Sequence, residues 1–335
     1  MSRIAIVGAG SWGTALALVL SRHDGHKITM WSHTRQVADS IQQARENLAY
    51  LPGLCIPESV RATTDMEEAL RGSEIVVLVV PSEHLREVCR AMAPFLDSQQ
   101  IIVNATKGLE DGTCFRMTQV IAEVLTDRRL QLPCAVLSGP SFAQEVGSHR
   151  PTAITVASCD AAVAVHVQEQ FAGPTLRLYT NDDVIGVELG GALKNVIAIA
   201  AGATHGLDLG NNSIAALITR GIAEMTRLAA ACGGRRETLA GLAGLGDLVL
   251  TCTGALSRNR YVGMELANGR NLKEILAGMQ GRVAEGVRTT HAALTLARHM
   301  QVEMPITEQV EAVLTERISA KAAMRELMAR PGRDE

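Results

Sequence analysis

Short apolar runs punctuate the first half of the chain. RIAIV (3–7), KITMW (27–31), EIVVLVV (74–80), QIIVNA (100–105), PCAVLS (133–138) and TAITVAS (152–158) read as strands. EIVVLVV lacks polar alternation, the mark of a strand buried on both faces in a parallel sheet. Between the runs, apolar residues from Ser11 to Ser21 recur at helical spacing, and Thr64-Asp65-Met66-Glu67 has the spacing of a capping box at a helix head. Strands alternating with helices predict an α/β fold with a doubly wound parallel sheet.

Beyond Asn181 the texture becomes helical, with few convincing strands. NNSIAALITRGIAEMTRLAAA (211–231) places apolar residues at 214, 217, 218, 222, 225 and 228, with Asn211, Asn212 and Ser213 as candidate caps. The expected organisation is a sheet domain over 1–181, an all-helical domain over 182–330 and a tail over 331–335, where RPGRDE frays. A length of 335 residues agrees with two domains of about 150 residues each.

Composition narrows the class. Only 3% of residues are aromatic while 47% are hydrophobic, so Ala, Leu, Val and Ile must build the cores, and helices must pack closely. A net charge of −3 offers no general attraction to nucleic acid or anionic membrane. Seven cysteines without a C-x-x-C pair argue against a disulfide framework or a metal site, and for buried thiols in a reducing compartment. A strand beginning at residue 3 leaves no room for a signal peptide, and no run of about 18 uncharged apolar residues suggests membrane insertion. A cytoplasmic protein is expected.

IAIVGAGSWGTALA carries Gly8, Gly10 and Gly13 as G-x-G-x-x-G between a strand and a helix. In that setting the glycines serve a tight turn, close approach of backbone to a pyrophosphate, and helix–strand packing, the fingerprint of a Rossmann-type dinucleotide site. The alternative is an ordinary glycine-rich turn. An NAD-selective site usually has an acid about 20 residues further on; here WSHTR offers Ser32, His33, Thr34 and Arg35, with no acid before Asp39. That favours a 2′-phosphate and NADP(H), unless Arg35 is simply a solvated helix start.

Other polar residues sit where packing does not require them. NATKGLE (104–110) places Lys107, and SGPSFAQE (138–145) places Gly139 and Ser141, beyond strand ends; each also reads as loop chemistry. ELGGALKNVIAIAAG (188–202) sets Lys194 and Asn195 side by side in an apolar helix. Either this lysine snorkels to water, or it faces a site that needs a cation. GLAGLGDLVLTCTG (241–254) puts Asp247 and Thr251 four residues apart, and the acid needs a cationic partner. SRNR (257–260) offers Arg258 and Asn259 as a phosphate grip or a solvated helix start, and RVAEGVRTT (282–290) contributes Glu285.

In order and spacing, GAGSWGTALA, NATKGLE, SGPSFAQE, IGVELGGALKNVIAIAAG, ITRGIAEM, GLAGLGDLVLTCT, SRNR and AEGVRT resemble the NAD(P)-dependent glycerol-3-phosphate dehydrogenases over nearly the whole chain. The resemblance implies reduction of dihydroxyacetone phosphate to sn-glycerol 3-phosphate, the glycerophospholipid backbone, with NADH or NADPH and no metal. It makes Lys194 the catalytic proton donor and acceptor at the C2 oxygen, oriented by Asp247. Lys107, Asn195 and Thr251 would hold oxygens, Arg258 and Asn259 the phosphate with Ser257 nearby, while Gly139 and Ser141 fall at substrate contacts. Cofactor contacts would be Gly8, Gly10, Ser11, Trp12, Gly13, His33, Arg35, Tyr50, Lys107, Ala143, Arg258, Val283 and Glu285; Tyr50, Ala143 and Val283 rest on resemblance alone. A homodimer is implied as well.

Two other classes compete. β-Hydroxyacid dehydrogenases pair similar domains, but they separate the lysine from its asparagine, whereas Lys194 and Asn195 are adjacent. A nucleotide-sensing regulator would need only the glycine fingerprint.

Overall fold

The computed structural model describes residues 2–279 and 283–332, so the end of the expected tail, 333–335, lies outside the described residues. The chain divides into two compact units, 1–107 with 115–184, and 108–114 with 185–335. A single cut near 181 therefore misses the excursion at 108–114, where Leu109 joins the apolar core of the second unit.

The first unit is built on an eight-stranded sheet: β1 (Arg3–Val7), β2 (Lys27–Trp31), β3 (Val60–Thr63), β4 (Ile75–Leu78), β5 (Ile101–Asn104), β6 (Cys134–Ser138), β7 (Thr152–Ala157) and β8 (Leu176–Asn181). Their order is β3-β2-β1-β4-β5-β6-β7-β8, reversing direction of growth between β1 and β4. Period-two geometry sends Ile4 and Ile6 into one core, with the Ser11–Leu20 helix, and Ala5 and Val7 into another, with the Leu85–Met92 and Met117–Asp127 helices. Helices thus cover both faces, which explains why EIVVLVV carries no polar alternation.

One pairing departs from the all-parallel expectation. β7 runs antiparallel to β6, with Val136 opposite Ala157 and Ser138 opposite Thr155. The intervening chain holds only the short Ala143–Gly147 helix, less than the packed helix that usually carries a parallel crossover back across a sheet. β8 then returns parallel to β7 through the Ala161–Phe171 helix.

Two caps move. Asp65, rather than Thr64, caps the Met66–Leu70 helix by accepting the Glu68 N–H at 3.1 Å. The Glu68 carboxylate takes the Thr63 hydroxyl at 2.6 Å, and that hydroxyl accepts the Asp65 N–H at 3.1 Å. Asn211, Asn212 and Ser213 lie inside the Gly210–Ala231 helix, and Ser213 Oγ bonds back to the Leu209 carbonyl at 2.9 Å.

The described residues of the second unit form helices and no strand beyond the end of β8. Its axis is the Val184–Gly206 helix, long and apolar enough to cross a bilayer, which a search for uncharged runs passes over because Glu188 and Lys194 interrupt it. Within this unit 83% of its most apolar window is buried, enclosed by other helices through Leu189, Leu193, Val196 and Ile197. Met225 and Leu228 of the Gly210–Ala231 stripe are fully buried against this core, and Ile214, Leu217, Ile218 and Ile222 partly so. All seven cysteines are free thiols; Cys89, Cys114 and Cys252 are buried, but Cys55 and Cys159 are exposed, against the expectation of enclosed thiols.

Candidate active site

The first unit places the glycine turn after β1, where strand order reverses and α/β sheets bind ligands. Gly8 holds φ +126°, and a Cβ there would meet the Val79 backbone, with Val79 C at 2.8 Å. A Cβ on Gly13 would collide with the Gly8 carbonyl and reach Val79 Cγ1 at 3.0 Å, so two of the three glycines are spent on packing. Gly10 differs: nothing lies within 4 Å of its Cβ position, and it precedes the Ser11–Leu20 helix without a side-chain cap. Free N–H groups beside open backbone make an anion site.

Around this turn, Ser11 Oγ donates to the Tyr50 carbonyl at 2.6 Å. Trp12 and Tyr50 pack on the first core, and Trp12 Nε1 is buried with no protein partner. β2 ends in Trp31, whose Nε1 donates to the Thr64 carbonyl at 3.1 Å. Ser32 is buried and folded onto Thr34, while His33 and Arg35 are exposed, Arg35 opening the Arg35–Asp39 helix. An open turn, an orphaned indole N–H and an acid-free, arginine-bearing strand end fit a dinucleotide.

At the ends of β5 and β6, Lys107 Nζ donates to the Gly139 carbonyl at 3.2 Å, and Ser141 Oγ donates to the same oxygen at 2.9 Å. Gly139 takes φ +137°, and a Cβ there would also stand 3.0 Å from Ile154 Cα, so both backbone and space call for glycine. Ala143 begins the helix that follows. Two unpredicted side chains hold this region. Asn104 makes a reciprocal turn with Thr106, and Thr106 Oγ1 bridges the Val80 N–H and carbonyl at 3.2 and 3.0 Å.

In the second unit, Lys194 is 8% exposed and Asp247 only 1%. Lys194 Nζ donates to Asp247 Oδ1 at 2.5 Å and to Thr251 Oγ1 at 2.9 Å. Thr251 gives its own proton to the Asp247 carbonyl at 2.6 Å, leaving a lone pair for the ammonium. Glycine sets this register. A Cβ on Gly190 would strike the Ala243 carbonyl at 2.6 Å, so the small residue admits the Leu242–Gly246 π-helical turn. One helical turn onward on both partners, Lys194 meets Asp247. Snorkelling is thereby excluded: the cation is paired, and removing one member of such a pair typically costs about 3–5 kcal/mol.

Asn195 Oδ1 accepts from Asn259 Nδ2 at 2.9 Å, and Asn259 Oδ1 accepts the Gly286 N–H at 2.9 Å. Gly286 allows this approach, because a Cβ would lie 2.5 Å from the Asn195 carbonyl. Ser257 caps the Arg258–Ala267 helix by accepting the Arg260 N–H, and Arg258 stands exposed as the first helical residue. Glu285 opens the Glu285–His299 helix, with half-buried Val283 two residues before it; Arg282 lies outside the described residues. Cys252 is a neutral thiol, pushed up to about 12 by burial, with Lys194 opposing that shift.

Sequence reasoning passed over Asn47 and Glu224. Asn47 is a fully enclosed amide in a loop and left no signal. Glu224 sits beside Met225 in the apolar stripe, an acid where none belongs. Its carboxylate accepts the Ile306 and Thr307 N–H groups at 2.8 and 2.9 Å and the Thr307 hydroxyl at 2.7 Å, capping the Pro305–Leu314 helix from another element.

Comparison with known proteins agrees with this arrangement. Residues 3–164 match the family described as the N-terminus of NAD-dependent glycerol-3-phosphate dehydrogenase, and residues 183–325 match its C-terminus. The glycerol-3-phosphate dehydrogenase [NAD(P)+] of Acidobacterium capsulatum is 61% identical, with all of both chains covered. The namesake from Koribacter versatilis is 57% identical over 100% of this chain and 99% of its own. The crystal structure of glycerol-3-phosphate dehydrogenase from Coxiella burnetii superposes with a TM-score of 0.93 at 45% identity, covering 98% of this chain and 99% of that one. With both halves matched and a full-length relative 61% identical, the chain belongs to the NAD-dependent glycerol-3-phosphate dehydrogenase family.

Proposed function

We propose that this chain reduces dihydroxyacetone phosphate to sn-glycerol 3-phosphate, the glycerophospholipid backbone, with NADH or NADPH. The observation that carries the mechanism is the buried Lys194–Asp247–Thr251 cluster. Ketone reduction at C2 needs a proton on the oxygen as negative charge develops there. Lys194 supplies it, and its ammonium polarises the carbonyl beforehand, the kind of directed charge that contributes most to catalysis. Asp247 and Thr251 fix the direction of the ammonium and favour its reprotonation afterwards. Asn195 spends its oxygen on Asn259, which directs its NH₂ to a substrate oxygen. Arg258 and the N-terminus of its helix, with Asn259 and Ser257, suit a phosphate. Lys107, Gly139 and Ser141 stand at the positions where the family resemblance implies substrate contacts.

The glycine turn with Ser11 and Trp12 would hold the dinucleotide's pyrophosphate, and His33, Tyr50 and Ala143 its remaining parts; Val283 and Glu285 stand at positions where the family resemblance implies cofactor contacts. When bound, NAD(P)H supplies the hydride that C2 accepts. Without an acid at the end of β2, and with Arg35 exposed there, NADPH is preferred over NADH. A cytoplasmic location and a homodimer complete the reading, the second open to light scattering.

The test is a steady-state assay with dihydroxyacetone phosphate, run separately with NADH and NADPH, beside 2-oxo acids. Turnover of the phosphorylated ketone with the lower KM for NADPH is expected. Turnover of oxo acids alone, or none with either cofactor, overturns the assignment.

A further inference from the structure

Asn47 follows the Ser40–Ala44 π-helical turn, in a loop that Arg45 staples by donating to the Ile56 and Val60 carbonyls. The Asn47 side chain is completely buried, and all three of its bonds are made near the glycine turn. Nδ2 donates to the Ala9 carbonyl at 2.9 Å and to Thr14 Oγ1 at 2.8 Å, while Oδ1 accepts the Tyr50 N–H at 3.1 Å. Thr14 Oγ1 passes its own proton to the Gly10 carbonyl at 2.9 Å, which also accepts the Thr14 N–H at 3.0 Å.

The carbonyls on both sides of Gly10 are therefore drawn inward, one by Asn47 directly and one through Thr14. In a trans peptide the N–H points opposite to the C=O of the same plane. Holding the Ala9 carbonyl fixes the Gly10 N–H, and holding the Gly10 carbonyl fixes the Ser11 N–H. These are the donors beside the open Cβ position of Gly10.

We propose that Asn47 is a positioning residue for the dinucleotide, fixing the Gly10 and Ser11 N–H groups toward the pyrophosphate without touching it. The proposal rests on the reading that the chain takes NAD(P)H. An enclosed amide could equally be a plain structural brace, and the test separates the two. Gln100 is the matched control: it is 2% exposed, its Nε2 donates to the Ser73 carbonyl at 3.0 Å and Ser73 Oγ at 2.8 Å, and it precedes β5, at the opposite end of the parallel strands from the glycine turn that follows β1.

The full-length wild type, Asn47→Ala, Thr14→Val, the double variant and Gln100→Ala would be compared. Readouts are Kd for NADPH and for ADP-ribose, which keeps the pyrophosphate but lacks nicotinamide, together with KM for dihydroxyacetone phosphate, kcat at saturating cofactor, and Tm. Asn47→Ala should weaken both nucleotides by about tenfold, a hydrogen bond's worth. Thr14→Val should weaken them less, and the double variant no more than Asn47→Ala alone, since the bonds form one chain. KM for the ketone and saturated kcat should hold, and Gln100→Ala should lower Tm with unchanged nucleotide affinity. Should Asn47→Ala fail to fold, Thr14→Val carries the test alone. A lowered Tm with both nucleotide affinities kept overturns the proposal, as does an equal affinity loss in Gln100→Ala. A wild type that binds no NADPH would instead overturn the functional reading beneath it.

Discussion

At the head of the Ser11–Leu20 helix the working groups are backbone N–H donors beside open space at Gly10. Along the Val184–Gly206 helix they are side chains, Lys194 and Asn195, enclosed to 8% and 6% exposure and already bonded to neighbours. On the proposed reading, a pyrophosphate brings its own charge, so the first region needs only oriented dipoles and room. In the proposed mechanism the second keeps a cation ready for an oxygen that becomes charged only during reaction, a task that a carboxylate buried beside the ammonium suits. Glycine serves both regions, by leaving space for a ligand at Gly10 and by admitting protein backbone at Gly190 and Gly286.

Substitutions can break this contrast. Lys194→Ala should lower kcat by about a thousandfold while NADPH affinity stays within about twofold; fluorescence titration showing an equal loss of affinity would place the lysine wrongly. Asp247→Ala leaves the ammonium buried without its counter-charge, and urea unfolding should register about 3–5 kcal/mol of lost stability. Arg258→Ala should raise KM for dihydroxyacetone phosphate ten- to about a hundredfold, the range of a charge-assisted bond, with kcat less affected.

Two glycines sharpen the comparison. Gly10→Ala has room for its methyl group, so Tm should hold while Kd for NADPH rises about tenfold, because backbone can no longer approach the pyrophosphate. Gly13→Ala should do the reverse, costing about 1–3 kcal/mol of stability through overpacking against the Gly8 carbonyl.

The last effect concerns Glu224 and shows in the pH dependence of stability. Burial pushes its carboxyl up, opposed by its bonds to Thr307 and Ile306 and by Arg227. A folded value above the unfolded one means that folding favours the protonated form. That contribution is complete below the unfolded value and is lost as pH rises through the folded one. Glu224→Gln should therefore flatten this part of the stability–pH curve, at a cost of about 1–3 kcal/mol because the glutamine NH₂ cannot accept one of the buried N–H groups; an unchanged slope would count against it.

Local signals carried much of the architecture. The six apolar runs became strands, two with the same ends and four with ends shifted by at most two residues, and the glycine spacing at 8, 10 and 13 marked its turn. β3 and β8 were missed. VRAT is short and half polar, while LRLYTN alternates because its outer face is exposed, so neither makes a continuous apolar run. The antiparallel β7 was missed because strand direction depends on how the connection folds, and nothing within TAITVAS encodes it.

By itself, the sequence determined the class of fold, the change from sheet to helices near Asn181, the glycine turn and the oddity of a lysine in an apolar helix. All are legible because period, charge and turn chemistry act over a few residues. Only tertiary structure decided which acid pairs with Lys194, that Asn259 links Asn195 to Gly286, and that Asn47 braces the carbonyls around Gly10. These partners lie tens of residues apart, and it is the packing of whole helices and loops, through gaps the width of one missing methyl group, that brings them within hydrogen-bond reach.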